Sequence, residues 1–251
     1  MASHTTSTRL LPTAVAALAA GLLLSGCSFG EGDRKTATAD AEVTEAVTAV
    51  EVTGGRHGSI EVTPGKGPGV TVHRTVHYRG DARPTPGQRV SGDGVLTFSH
   101  GCTGSCYVDY RLEVPATATV RLDNSSGRIS VAGVAGAELV SDSGSVRAER
   151  IAGPLKIRTS SGDITAAGLT GPSADVRSDS GDARVDFAAP PASLAARTTS
   201  GDVTLKVPSA PYRVDVSTSS GDRAVSVPTS PSAASRLSAK TTSGDVSISA
   251  P

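Results

Sequence analysis

The sequence contains no tryptophan, a single methionine (Met1) and 3% aromatic residues in 251 positions. A globular enzyme core of that length normally uses more large side chains. A thin stack lined by Val, Ile, Leu, Ala and Thr needs few. The formal charge is zero, so the electrostatic footprint of a nucleic-acid binder is missing and no nucleic-acid partner is expected. A sustained helical period is lacking after the leader, and so is a Gly-x-Ser-x-Gly nucleophile elbow.

What is present is a repeat. Ser-Gly recurs at Gly127, Gly144, Gly162, Gly181, Gly201, Gly221 and Gly244, at spacings of 17, 18, 19, 20, 20 and 23 residues. Five of these turns continue with Asp: Asp163, Asp182, Asp202, Asp222 and Asp245. Five residues before each glycine stand Leu122, Leu139, Ile157, Val176, Ala196, Val216 and Ala239. Two residues after it stand Ile129, Val146, Ile164, Ala183, Val203 and Val246, with Arg223 the exception. Alternation at period two on both sides of the glycine reads as two short strands with one buried face each. The parity flips across the turn, so Ser-Gly-Asp is a corner that bends the chain around its core, where glycine supplies the backbone freedom. A unit of about 20 residues cannot bury its apolar face alone and must stack on its neighbours. The expected fold is all-β, a single-stranded β-solenoid of about 20-residue repeats. Proline falls between the repeats, at Pro154, Pro172, Pro190, Pro208 and Pro228 among others, where no ladder bond is lost.

In chain order, residues 1–26 read as an export signal, with Arg9 in the n-region and an apolar run from Leu10 to Leu24. That run is shorter than the roughly 20 residues that span a bilayer. Residues 27–45 read as a flexible tether. Residues 46–118 are expected to contribute strands at Val47–Thr53, Gly58–Val62, Val70–Tyr78, Val90–Phe98 and Tyr107–Val114. This region is either an irregular first part of the stack or a capping β-domain. Residues 119–251 carry the repeats to the end.

Three sets of residues could carry chemistry. Cys102 and Cys106 bracket three residues; in an exported chain a local disulfide is the natural reading, with a redox or metal pair the alternative. The Asp column would place carboxylates about 4.8 Å apart, repelling by roughly 1 kcal/mol per neighbour in water. Either Ca²⁺ binds at Asp163, Asp182, Asp202, Asp222 and Asp245, or each Asp caps its turn beside the cations Arg158, Arg177, Arg197 and Lys240. A glycan-active site on clustered Asp163, Asp182 and Asp202 would need a cleft, and the long loops that would wall one are missing. His73 and His77 share one strand face about 13 Å apart, too far to chelate one metal. His57 and His100 stand alone. No catalytic residues and no cofactor are expected.

Leu24-Ser25-Gly26-Cys27 resembles the bacterial lipobox, whose cysteine is lipidated and becomes the mature N-terminus; an ordinary signal cleaved nearby is the alternative. Thr159-Ser160-Ser161-Gly162-Asp163-Ile164, Thr198-Thr199-Ser200-Gly201-Asp202-Val203 and Thr241-Thr242-Ser243-Gly244-Asp245-Val246 resemble the bacterial "putative adhesin" family, the DUF4097 β-strand-repeat proteins. Arg128, Ser145 and Arg223 depart from its pattern. The resemblance implies a surface protein with an adhesin-like or envelope-stress-associated role and no catalytic residues. The expected protein is lipid-anchored at the extracytoplasmic face of the cell membrane, with a cell-envelope polymer or surface protein as partner. The alternatives are a regulatory partner of a membrane sensor and a glycan-active enzyme. Substituting Cys27→Ala should move the protein from the membrane pellet to the soluble fraction in a fractionation blot. Retention in the pellet would contradict lipid anchoring.

Overall fold

The computed structural model describes residues 34–102 and 105–251; the expected leader, Cys27 and the start of the tether lie outside the described residues. Alternating apolar and polar side chains produce short strands throughout, and no helix occurs among the described residues. Up to Pro115 the strands are β1 (Arg34–Val43), β2 (Ala49–Gly55), β3 (Ile60–Pro64), β4 (Val70–Arg79), β5 (Gly87–Val90), β6 (Val95–Ser99) and β7 (Tyr107–Val114). From there they come in pairs about each corner. The first three pairs are β8 (Thr119–Ser126) with β9 (Ile129–Ala132), β10 (Gly136–Ser143) with β11 (Val146–Glu149), and β12 (Leu155–Ser161) with β13 (Ile164–Leu169). Then follow β14 (Ser173–Ser180) with β15 (Ala183–Phe187), β16 (Ser193–Arg197) with β17 (Val203–Lys206), β18 (Arg213–Ser217) with β19 (Arg223–Val225), and β20 (Arg236–Lys240) with β21 (Val246–Ser249).

Each pair gives one strand to each of two sheets. One sheet has the order β18-β20-β16-β14-β12-β10-β8-β2-β6-β5, the other β1-β4-β7-β3-β9-β11-β13-β15-β17-β21-β19. Through the repeats the pairing is parallel and in register, so Leu122, Leu139, Ile157, Val176 and Ala196 form one column. Ile129, Val146, Ile164, Ala183 and Val203 form another. Both columns are buried in one continuous apolar core. The inward residues on either side of each corner thus pack together, as the parity flip requires. The class is all-β with two mostly parallel sheets, an arrangement consistent with a solenoid-like stack.

Four features differ from the sequence reading. Arg34–Val43 is a strand, not tether: Ala37, Ala39 and Ala41 alternate with exposed polar residues, and β1 pairs antiparallel with β4. Alanine's weak β-propensity hides that alternation. The expected strand Val90–Phe98 is instead parts of two, β5 and β6, which form an antiparallel hairpin turning through Gly94 at φ 80°. The N-terminal end is not uniformly parallel, because β4 runs antiparallel to both β1 and β7. Finally, stack order departs from chain order. β20 lies between β16 and β18, and β21 between β17 and β19, so the Gly244 rung inserts between those of Gly201 and Gly221. The Gly221 rung is therefore the open end. That explains Arg223 at an otherwise apolar position: β19 is exposed along its length, whereas Val246 and Ile248 of the covered rung are buried.

At the opposite end, Arg74 points inward from β4 and is 5% exposed. Its guanidinium donates to the carbonyls of Ala39 and Pro86 and to the Gln88 side-chain oxygen, which ties β1 and β5 to β4. Burial lowers its pKa below the ordinary arginine value, and burial pushes the neighbouring Tyr110 hydroxyl up to about 12.

The rungs approach closely at the corner glycines. A Cβ on Gly201, whose φ is 139°, would lie 2.6 Å from the Gly181 carbonyl carbon and closer still to its oxygen. Gly201→Ala should therefore cost about 3 kcal/mol or more, from backbone strain plus overpacking. Gly92→Ala, with nothing within 4 Å of the added carbon, should stay within about 0.5 kcal/mol. Urea unfolding of both variants measures the difference, and equal effects would contradict the close approach.

Candidate functional site

Turning at a corner removes main-chain partners that a straight strand would have, and unpaired polar groups are costly wherever water is excluded. Side chains replace them on both sides of the Gly-Asp peptide. The Gly181 carbonyl accepts from Thr198 Oγ1 at 3.1 Å, the Gly201 carbonyl from Thr241 Oγ1 at 3.0 Å and the Gly244 carbonyl from Thr218 Oγ1 at 2.9 Å. On the other side, the N–H of Asp182 donates to Asp163 Oδ1 and that of Asp202 to Asp182 Oδ1, each at 2.9 Å. Asp245 donates to Asp202 and Asp222 to Asp245, each at 2.8 Å. The donor order again follows the stack rather than the chain.

Four of the five Asp residues, all but Asp222 at the open end, thus spend one oxygen on the next rung's backbone. Among the described residues no group of three or more His, Cys, Asp or Glu is placed to hold a metal ion. Two of the four cations expected beside the column, Arg177 and Lys240, pair elsewhere: Arg177 with Asp175 at 3.0 Å and Lys240 with Asp215 at 2.7 Å. Their strand side chains alternate away from the corner and reach carboxylates on the outer sheet face. Asp182 is met instead by Arg184, at 2.7 Å.

Where Asp is missing, the corner is incomplete. Ser141 Oγ and Thr159 Oγ1 are buried without a hydrogen-bond partner. These are the hydroxyls of the rungs stacked on Gly127-Arg128 and Gly144-Ser145, two of the three departures noted in the sequence.

A chemically different surface covers the N-terminal antiparallel strands. Outward positions there are opposed across β1, β4 and β7, with His77 opposite Thr36 and Tyr107, and His73 opposite Asp40 and Arg111. Each of these histidines has its own carboxylate: His73 Nδ1 lies 3.2 Å from Asp40, and His77 Nε2 lies 2.9 Å from Asp109. Asp109 also accepts the Ser59 N–H at 2.7 Å. The His77–Asp109 pair stands between two open clefts, with Asp109 lining one and His77 the other, while His73 and Asp40 both line the first. One, of about 630 Å³, has Asp40, Glu61 and Asp109 beside His73, Arg74 and Arg111. The other, of about 620 Å³, is lined by Arg34, Arg56, His57, His77, Arg79 and Tyr107, among others, with no carboxylate among the described lining residues. His77 stacks on Tyr107 at 4.4 Å between ring centres, and the Arg34 guanidinium sits 6.0 Å from the same ring. Cys102 and Cys106 stand at disulfide distance with Cα atoms 5.8 Å apart, and Cys106 borders this cleft. Sequence reasoning missed the cleft because Arg34 fell in the expected tether and His57 had no evident neighbour. The one available signal was the outward alternation of His73, His77 and Arg79.

Residues 89–249 match the family model described as Toastrack DUF4097. No curated protein matches the chain. The crystal structure of a "putative adhesin" from Bacteroides fragilis superposes with a TM-score of 0.51 at 15% identity, covering 86% of this chain and 97% of its own. A "putative adhesin" from Parabacteroides distasonis gives 0.50 at 14% identity, covering 88% and 98%. At these identities the likeness is one of fold.

The paired and unpaired hydroxyls make a direct test. Thr198→Val should cost about 1–2 kcal/mol, because the isosteric side chain leaves the Gly181 carbonyl unpaired. Thr159→Val removes a buried hydroxyl that has no partner, and should be neutral or stabilising. Denaturant midpoints of the two variants measure this, and the opposite ranking would contradict the assignment.

Proposed function

The chain belongs to the Toastrack DUF4097 family, and from that premise we propose that it is a cell-surface lipoprotein whose β-solenoid of about 20-residue repeats serves as a non-catalytic, adhesin-like interaction surface. The supporting observation is the outer sheet face. Its side chains are in register from rung to rung and mix both charges, with Glu138 bonded to Lys156 on the next rung and Asp175 to Arg177. Rungs about 4.8 Å apart present a periodic polar surface that an extended polymer can follow. The naming of the two structural neighbours as "putative adhesins" points the same way. Cys27 holds the protein by lipid at the extracytoplasmic face of the membrane; no helix among the described residues is long and apolar enough to cross it.

Residues 28–251 should co-sediment saturably with isolated cell-wall polymer from the host envelope, and a Ca²⁺ chelator should not alter the amount bound. Absence of saturable binding would sink the adhesin-like reading and shift the search to a membrane-protein partner.

A further inference from the structure

We propose that the basic cleft on the N-terminal strands binds a phosphoryl group through Arg34, Arg56 and Arg79. Arg34 and Arg79 are direct cross-strand partners in the β1–β4 register. Side chains so opposed share one face of the sheet, and like charges placed there destabilise the pair unless something neutralises them. No ion pair joins Arg34, Arg56 or Arg79 to a carboxylate among the described residues. Two acids near the cleft among the described residues are already engaged. Asp109 is held by His77 and the Ser59 N–H, and Asp81 by Lys35.

The composition of the cleft selects the ligand class. Three guanidiniums offer more donors, and more positive charge, than one carboxylate can use, and their planar forks match phosphate oxygens. His57 adds a further ring nitrogen to the lining. Tyr107 forms a rigid wall, because His77 covers one of its faces and Arg34 stands by the ring. The volume accommodates a phosphate with the sugar or glycerol attached to it. The source of that phosphate, a wall polymer or a lipid headgroup, rests on the surface reading above; binding of the anion itself does not.

The test is equilibrium dialysis of the full chain in mild detergent against inorganic phosphate, at ionic strength held constant with sodium chloride. Saturable binding is expected, weakened roughly 10- to 100-fold by Arg34→Gln or Arg79→Gln and unaffected by Arg158→Gln on the repeat face. Thermal melting supplies a second readout. Phosphate should raise the Tm of the wild type. Arg79→Gln should melt higher than wild type in chloride, since the like-charge pair is gone, and should lose the phosphate-dependent rise. Non-saturable binding, a chloride effect equal to that of phosphate, or Arg34→Gln and Arg79→Gln variants that bind like wild type would each overturn the proposal. Phosphatidylglycerol vesicles that displace phosphate, with phosphatidylcholine vesicles inert, would support the cleft and assign the group to a lipid headgroup. Displacement by glycerol phosphate but not by vesicles would support it and assign a soluble or polymer phosphodiester. Failure of envelope co-sedimentation with phosphate binding intact would remove the adhesin-like reading alone.

Discussion

The peptide between glycine and aspartate at each corner constrains everything stacked around it. The glycine lets one rung's carbonyl project into the space a Cβ would fill in the next. That closeness forces the backbone off the straight ladder, so both ends of the peptide need side-chain partners. A hydroxyl three residues before the next glycine takes the carbonyl, and the preceding rung's carboxylate takes the N–H. Glycine, hydroxyl and aspartate therefore recur together because one peptide needs all three. One oxygen each of Asp163, Asp182, Asp202 and Asp245 is spent on backbone, which gives the column a structural role.

Much of this was legible in the sequence. Period-two alternation on either side of a recurrent Ser-Gly fixes the inward residues, and the structure buries Leu139, Ile157, Val146 and Ile164 accordingly. The hydroxyl column could be aligned by eye, but its partner could not, because hydrogen bonds between rungs depend on how the corners superpose. Rung order was hidden for a similar reason. Chain order suggests that each repeat follows its predecessor, yet the Gly244 rung covers the Gly201 rung and leaves the Gly221 rung at the edge. Arg223 at an apolar position and the long 23-residue final spacing were the visible signs. Arg223, unlike the hydrogen-bonded Arg74, has no buried acceptors among the described residues and is tolerated because no further rung covers β19.

The N-terminal end was least legible. Its cleft is assembled by the antiparallel register of β1 on β4 and by the loop before β3, and neither pairing has a repeat to announce it. Arg34 and Arg79 are 45 positions apart in the chain yet directly opposed in the sheet. The regular stack is built from rungs of one pattern, mutually satisfied wherever the corner carries Asp on the rung below. The irregular end holds the buried Arg74 clamp, both histidine–carboxylate pairs and the cleft whose described lining has arginines but no acid. Scaffold and chemical individuality thus sit at different places along one molecule.

Native-state hydrogen exchange, read residue by residue, tests the corner account most directly. The amides of Asp182, Asp202, Asp222 and Asp245 lie at exposed turns, yet each donates to a carboxylate of the adjoining rung. They should exchange slowly. The amides of Arg128, Ser145 and Asp163, whose preceding rung offers no such carboxylate, should exchange fast. Uniform exchange across all seven corners would contradict the claim that side chains complete the corner peptide and hold the stack in register.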